Sequence, residues 1–450
     1  MKKITAIILA LALSIMVVAC GDFMFPGMRP APVAPDYPDD VPDVTETNTG
    51  AFGPGGTITV WCWDHSFYIN TIEEAAKVYK ERNPNFELNI VEVAWDDLQA
   101  DLSAAGISGQ FDALLDVFLC EDNAFQMNVL LYPDIFADIT DSGINFKEFG
   151  PAKIDYSTVD GRNFGVPFDS GTVINCLRTD ILNEAGYTIN DFTNITWAEY
   201  IERGKDVLEK TGKPLHAAEA GGGNLLMIML QSSGASLINS DGSVNITNNN
   251  ELRVAMEILK ELLSSGIVLE VKDWNEYLDS FTDGSVAGTI NGCWVLSSIR
   301  RAYDQSGNWA VTNIPRLNTS GATQYSNSGG SSWAVSSSSP NKDLAIDFLA
   351  NTFAGSVPFY ETILTSSGAI CTWAPAGGSS AYSRQQAFFA DQAVFADIVD
   401  FTGRVPSNNT GLYYYEARDA VNTAMTRYLR GASIDEMLQE AENKIILLMG

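Results

Sequence analysis

From Thr57 onward the hydrophobic period of the chain switches repeatedly between two residues and about 3.6 residues. Thr57–Trp63 is β-branched and aromatic, Ile69–Arg82 repeats as a helix, and Phe86–Val93 alternates as a strand. Asp96–Ala105 is helical again, and Leu114–Cys120 reads as a short buried strand leading into a helix through Leu130. Such βαβ succession predicts a largely parallel sheet with helices on both faces. Sheets of this kind bind ligands beyond the carboxyl ends of their strands, which directs attention to Trp63-Asp64 and Glu121-Asp122.

The second half is richer in helices. Thr196-Trp197-Ala198-Glu199 has capping-box spacing and predicts a helix to Lys210. Asn250–Ser264, Trp274–Phe281 and Val295–Tyr303 follow, and Ser339-Pro340 is expected to open another helix with proline at its first position. Two more are expected at Tyr413–Leu429 and, after a Ser433–Glu436 capping box, at Met437–Leu448. No fixed-period repeat is visible. A chain of 450 residues suits two lobes or domains, and 46% apolar residues suffice for sizeable cores.

Acids outnumber bases by 56 to 27, a formal charge of −29, and the bases are not clustered. Nucleic acid is therefore not an expected partner. Only His65 and His216 are histidines, which disfavours a histidine-rich metal site; no metal or cofactor is expected.

Lys2 and Lys3 precede an apolar run from Ile4 to Ala19 that is short for a membrane span and has the form of a secretory signal over residues 1–19. Val17-Val18-Ala19-Cys20 resembles a bacterial lipobox, so Cys20 is the expected lipidation site and the first mature residue. Two or three acyl chains would hold the exported protein on the outer face of the cell membrane. Residues 20–56 hold seven of the seventeen prolines and a run of acids, an extended linker between lipid and body. Cys62, Cys120, Cys176, Cys293 and Cys371 sit in apolar stretches and read as small core residues, without an obligatory disulfide framework.

Aromatic residues with nearby carboxylates recur at predicted strand and helix tips: Trp63-Asp64, Glu121-Asp122, Phe168-Asp169, Trp294, Trp333, Trp373 and Tyr413-Tyr414-Tyr415. Sugars suit this combination, because their C–H faces pack on rings while carboxylates accept from paired hydroxyls. Any one tryptophan taken singly reads first as a core residue, and only the collective pattern points to a sugar. No Gly-x-Ser-x-Gly elbow, His-Glu-x-x-His pair or Gly-x-x-x-x-Gly-Lys-[Ser/Thr] loop is present. Gly221-Gly222-Gly223 and Gly329-Gly330-Ser331-Ser332 read as turns, the latter also able to bring backbone amides close to a ligand.

The body resembles the extracellular solute-binding proteins of ABC sugar importers, the group that includes the maltose-binding protein. The resemblance rests on Ala287-Gly288-Thr289-Ile290-Asn291-Gly292-Cys293-Trp294, on Gly165-Val166-Pro167 followed by Val173-Ile174-Asn175, on Thr196-Trp197-x-Glu199, and on Ser339-Pro340-Asn341-Lys342 before Ala345-Ile346-Asp347-Phe348-Leu349. In order, they run from about Thr57 to Lys444. The resemblance implies an α/β fold of two lobes joined by crossover hinges, residues 57–168 plus 316–366 and residues 169–315 plus 367–450, each with a mainly parallel sheet. It places Trp63, Asp64, Glu121, Asp122 and the crossover residue Asp169 at the cleft, with Glu219 facing the sugar from the second lobe. Trp294 would be the stacking platform and Tyr414 a second ring, while Trp333 and Trp373 lie in variable loops. After Asp64 the chain reads His65-Ser66 where maltodextrin receptors have lysine, so maltose itself is not the expected ligand.

A receptor of this kind is a monomer that closes on its ligand and breaks no bonds. Its partners would be two permease subunits and, through them, an ATPase. Two other readings fit the same residues: a receptor for polyamines or other cations, because rings and carboxylates also make a cation box, and a secreted carbohydrate-active enzyme.

Overall fold

The computed structural model describes residues 55–111 and 114–450. The signal segment, Cys20 and nearly all of the proline-rich stretch lie outside the described residues. The strands in chain order are β1 (Gly56–Cys62), β2 (Phe86–Glu92), β3 (Val117–Glu121), β4 (Thr158–Val159), β5 (Arg162–Asn163), β6 (Gly165–Pro167), β7 (Val173–Arg178), β8 (His216–Glu219), β9 (Val268–Val271), β10 (Gly288–Gly292), β11 (Trp309–Thr312) and β12 (Ser331–Val335).

The first lobe is built on a five-stranded sheet of order β2-β1-β3-β12-β6. β1 runs parallel to β2 and β3, as the βαβ pattern predicts, with helices Asn70–Arg82 and Trp95–Ser108 as crossovers. Ile58, Val60 and Cys62 are fully buried on one face of β1, and the period of two put them there. Residues Val117–Cys120 of β3 are buried throughout, as a central strand covered on both faces requires. β12 comes from far along the chain and slots antiparallel between β3 and β6.

The second lobe differs from the expectation in pairing sense. Its three-stranded sheet, β10-β7-β11, is antiparallel throughout, and only the separate β8-β9 pair is parallel. β8 and β9 keep the parallel sense because helices Gly223–Gln231 and Asn250–Ser264 form the crossover between them, whereas β10 and β11 flank β7 with the opposite direction.

Local signals held where side chains were free to cap. The Glu199 amide donates to Thr196 Oγ1 at 3.3 Å and the Thr196 amide to Glu199 Oε2 at 2.8 Å, opening helix Trp197–Thr211. The Ser433 hydroxyl makes no cap bond at the start of helix Ile434–Met449. After Ser339-Pro340 the helix begins only at Lys342; the Ser339 hydroxyl donates to Asp116 Oδ1 at 2.5 Å and accepts from the Asn341 amide at 3.0 Å, a turn ahead of the helix.

The crossovers between lobes bond to one another. The Phe168 amide donates to the Ser331 carbonyl at 3.1 Å, the Ser328 amide to the Gly171 carbonyl at 2.8 Å, and Thr372 Oγ1 to the Phe168 carbonyl at 2.9 Å. Cys62, Cys120, Cys176, Cys293 and Cys371 are all buried free thiols. Burial pushes the Cys62, Cys293 and Cys371 thiols up to about 12, which keeps them protonated and unreactive. No helix among the described residues is long and apolar enough to cross a membrane.

Candidate functional site

Beyond β1, the Trp63 ring meets Tyr68 edge-on at 5.4 Å. Asp64 is exposed at φ +57°; its Oδ1 accepts from the Phe67 amide at 3.2 Å, and its carbonyl accepts from the amides of Tyr68 and Ile69. Asp64 therefore caps the short helical turn that follows it.

The two acids after β3 part company. Glu121 is half-buried and accepts from Asn123 Nδ2 at 2.9 Å and from the Tyr415 hydroxyl. Burial raises its pKa, and these two bonds oppose the rise. Asp122 is fully buried, ion-paired with Lys153, and accepts from Ser332 Oγ at 3.0 Å. Burial raises its pKa too, with Lys153 pulling the other way.

Asp169 joins this buried group rather than an open wall. Its Oδ1 accepts from the Ser331 amide at 2.7 Å, and Tyr68 Oη lies 3.5 Å from Oδ2. Burial, against the pull of Lys153 and with the added push of Asp122, brings its pKa to about 6. Gly330, at φ +109°, lets the second crossover pass: a β-carbon there would fall 2.7 Å from Asp122 Oδ2 and 2.9 Å from Lys153 Nζ. Asp122, Lys153 and Asp169 thus brace the crossovers.

Two adjoining cavities of about 220 and 200 Å³ share Gly223, Asn224 and Ser328 in their walls. The first is lined by Glu219, Trp274, Tyr277, Asn291 and Trp294. The Trp294 ring is 38% exposed, donates through Nε1 to the Ser328 carbonyl at 3.3 Å, and lies 5.4 Å from Trp274, which stacks on Tyr277 at 5.0 Å. The second is lined by Asn123, Tyr156, Asn408, Tyr414, Arg418 and Asn422, so it draws on segments flanking both sheets.

Of the ten expected ligand residues, the structure brings Glu219 and Trp294 to one cavity and Tyr414 to the other. Trp63, Asp64, Glu121, Asp122 and Asp169 line neither. Two tryptophans require correction. Trp333 is fully buried between Phe168 and Phe353, because β12 is covered on both faces. Trp373 is also buried, stacked over Tyr360 at 6.2 Å with Nε1 donating to Glu148 Oε2 at 2.8 Å. Both rings are core residues.

Sequence reasoning passed over the carboxamides and Trp274. Asn123, Asn224, Asn408 and Asn422 each carry a group that donates and accepts at once, which is what a sugar hydroxyl needs. The signal was present: Asn123 follows Asp122, Asn224 follows the triple glycine, and Asn408 precedes the triple tyrosine. Asn422 Oδ1 is buried with no partner among the described residues.

The sequence matches the bacterial extracellular solute-binding protein family over residues 74–368. A lactose-binding protein of Rhizobium radiobacter is 38% identical over 397 residues, covering 88% of this chain and 93% of its own. Among solved structures, the sugar-binding protein MalE of Xanthomonas citri superposes with a TM-score of 0.73 at 20% identity, over 88% of this chain and 98% of its own. The galacto-N-biose/lacto-N-biose I-binding protein of Bifidobacterium longum gives 0.69 at 18% identity, over 88% and 97%. The likeness extends over nearly all of the two-lobed body, and the chain belongs to the bacterial extracellular solute-binding protein family.

Proposed function

We propose that this chain is the receptor of an ABC importer for a short neutral sugar, with a β-galactoside disaccharide such as lactose as the leading ligand class. One observation carries the reading: the Trp294 ring, 38% exposed, and Glu219 line one cavity that adjoins an asparagine-lined one. Ring faces suit the C–H side of a pyranose, and carboxamides suit its hydroxyls. The 38% identical lactose-binding relative supports the ligand class.

In this reading the lobes are residues 57–168 plus 316–366 and residues 169–315 plus 367–450. The membership of β1, β2, β3, β6 and β12 in one sheet and of β7, β10 and β11 in another supports that division. The protein is exported, anchored through lipid on Cys20, monomeric, and passes its sugar unchanged to two permease subunits. The test is calorimetric titration with lactose, with mass spectrometry of the recovered sugar. Saturable binding, little affected by salt and without cleavage, is the expected result. Cleavage would turn the reading to an enzyme, and steep loss of affinity with salt would turn it to a cation receptor.

A further inference from the structure

The segment between helices Val394–Thr402 and Tyr414–Leu429 crosses the groove as a strap held from both sides. On the side of the first sheet, Gln126 Oε1 accepts from the Gly411 amide at 2.9 Å and Thr410 Oγ1 at 3.1 Å. Its Nε2 donates to the Asp155 carbonyl at 2.8 Å, which fixes the orientation of the amide, and Tyr156 Oη donates to Asn408 Oδ1 at 3.3 Å. From the second lobe, Gln231 Nε2 donates to the Pro406 carbonyl at 2.9 Å. The Asn409 amide donates to Ser236 Oγ at 2.7 Å, and Asn409 Nδ2 donates to the carbonyls of Ile238 and Asn239, each at 3.1 Å. Thr410 is fully buried and Gln126 nearly so, so the bonds of Gln126 to the strap are not interchangeable with water.

The strap has a cavity on each side. Asn408 and Asn409 line the 200 Å³ cavity that adjoins the Trp294 end, and Asn409 also lines two outer cavities of about 460 and 470 Å³. Each inner cavity falls below the roughly 300–1,000 Å³ usual for small-molecule sites, so a ligand of two rings would draw on both. It then ends against the strap.

We propose that the Asn408–Gly411 strap is an end wall that limits the ligand to about two sugar rings, with Gln126 as its positioning residue. The inference rests on the sugar-receptor reading and adds to it a length limit and the residues that set it. Without the Gln126 amide the strap loses its two bonds at Thr410 and Gly411 and keeps only the 3.3 Å Tyr156–Asn408 bond to the first lobe, so the inner groove opens toward the outer cavities.

The test compares the full chain with Gln126→Ala and, to guard against loss of folding, Gln126→Met, each checked by circular dichroism. Each is titrated with two-ring and four-ring β-galactosides and with two-ring and four-ring α-glucosides. In whichever series binds, the unaltered chain should prefer two rings by tenfold or more, and the variants should reduce that preference at least fivefold. The ratio matters, because a merely structural role would weaken both lengths together. Equal affinity for both lengths in the unaltered chain, or an unchanged ratio in both variants, overturns the proposal. If no series binds, the sugar reading fails by itself, and hydrogen exchange at the Gly411 amide decides the strap. Protection lost in the variants supports the tie, and protection retained overturns it.

Discussion

The indole of Trp294 lies over Gly292 so closely that a β-carbon on the glycine would overlap its ring nitrogen. β10 ends at Gly292, and the turn that follows folds the ring back against the Ser328 carbonyl, leaving one face to the cavity. Trp294→Ala should lower sugar affinity by roughly ten- to several-hundred-fold, as removal of a binding hot spot does. Gly292→Ala should act in the same direction by displacing the ring without removing it. Calorimetry and thermal melts check both. A sharp drop in the melting temperature of Trp294→Ala with affinity unaltered would make the ring a core residue.

A second expectation concerns pH. Asp169 has its pKa pushed to about 6 by burial, with Lys153 opposing and Asp122 adding to the rise. An unfolded aspartate titrates near 3.9. Between those values the folded chain holds a proton that the unfolded chain has lost, so this group's contribution to stability falls as pH rises, and the loss is complete above about 6. Asp169→Asn retains an oxygen for the Ser331 amide and removes the titration. Its melting temperature should gain on the unaltered protein between pH 5 and pH 7.5, and a constant difference across that range would remove Asp169 as the titrating group.

The period of the sequence placed β1, β2, β3 and their crossover helices within a few residues, because each is a local alternation resolved over one or two turns. The tryptophans were harder. Trp294 and Trp333 both sit in short stretches of small residues, Asn-Gly-Cys-Trp and Ser-Ser-Trp-Ala. Their fates differ because β12 is flanked by β3 and β6, whereas Trp294 follows a strand end. Asp122 was misleading for a related reason: Lys153 lies 31 residues away and Ser332 210, so nothing local marked its charge as already matched.

Trp333→Ala should therefore behave as a core truncation. The loss expected for a buried tryptophan is about 3–5 kcal/mol. Denaturant unfolding should show that loss, while the affinity of whatever folded protein survives stays within about threefold of the original. A selective loss of affinity with normal stability would return Trp333 to the ligand site.

Cys20 gives a prediction outside the described residues. Cys20→Ala should abolish lipid attachment, so the variant should leave the membrane fraction or persist as a precursor retaining residues 1–19. Metabolic labelling with a fatty acid and cell fractionation distinguish these outcomes. A processed Cys20→Ala protein that remains on the membrane would remove the lipobox reading.

The bond between Glu121 and the Tyr415 hydroxyl links the end of β3 to the helix Tyr414–Leu429, which packs through Ala417, Ala420 and Val421 on the core of the second lobe. It therefore joins the two lobes independently of any ligand and should break when they part. A hydrogen bond to a carboxylate contributes about 1.5–3 kcal/mol when buried, and this one is partly exposed, so about 1 kcal/mol is a fair expectation. Tyr415→Phe removes the hydroxyl but retains the ring beside Trp95 and Arg418. The closed form then becomes less favourable, and sugar affinity should fall about fivefold, because the ligand must supply what the bond did. Small-angle scattering should show a smaller radius of gyration with saturating sugar than without, for both proteins, with the variant needing more sugar to reach it. If the variant binds as tightly as the original and compacts at the same concentration, the Glu121–Tyr415 bond persists in the open form and does not report closure.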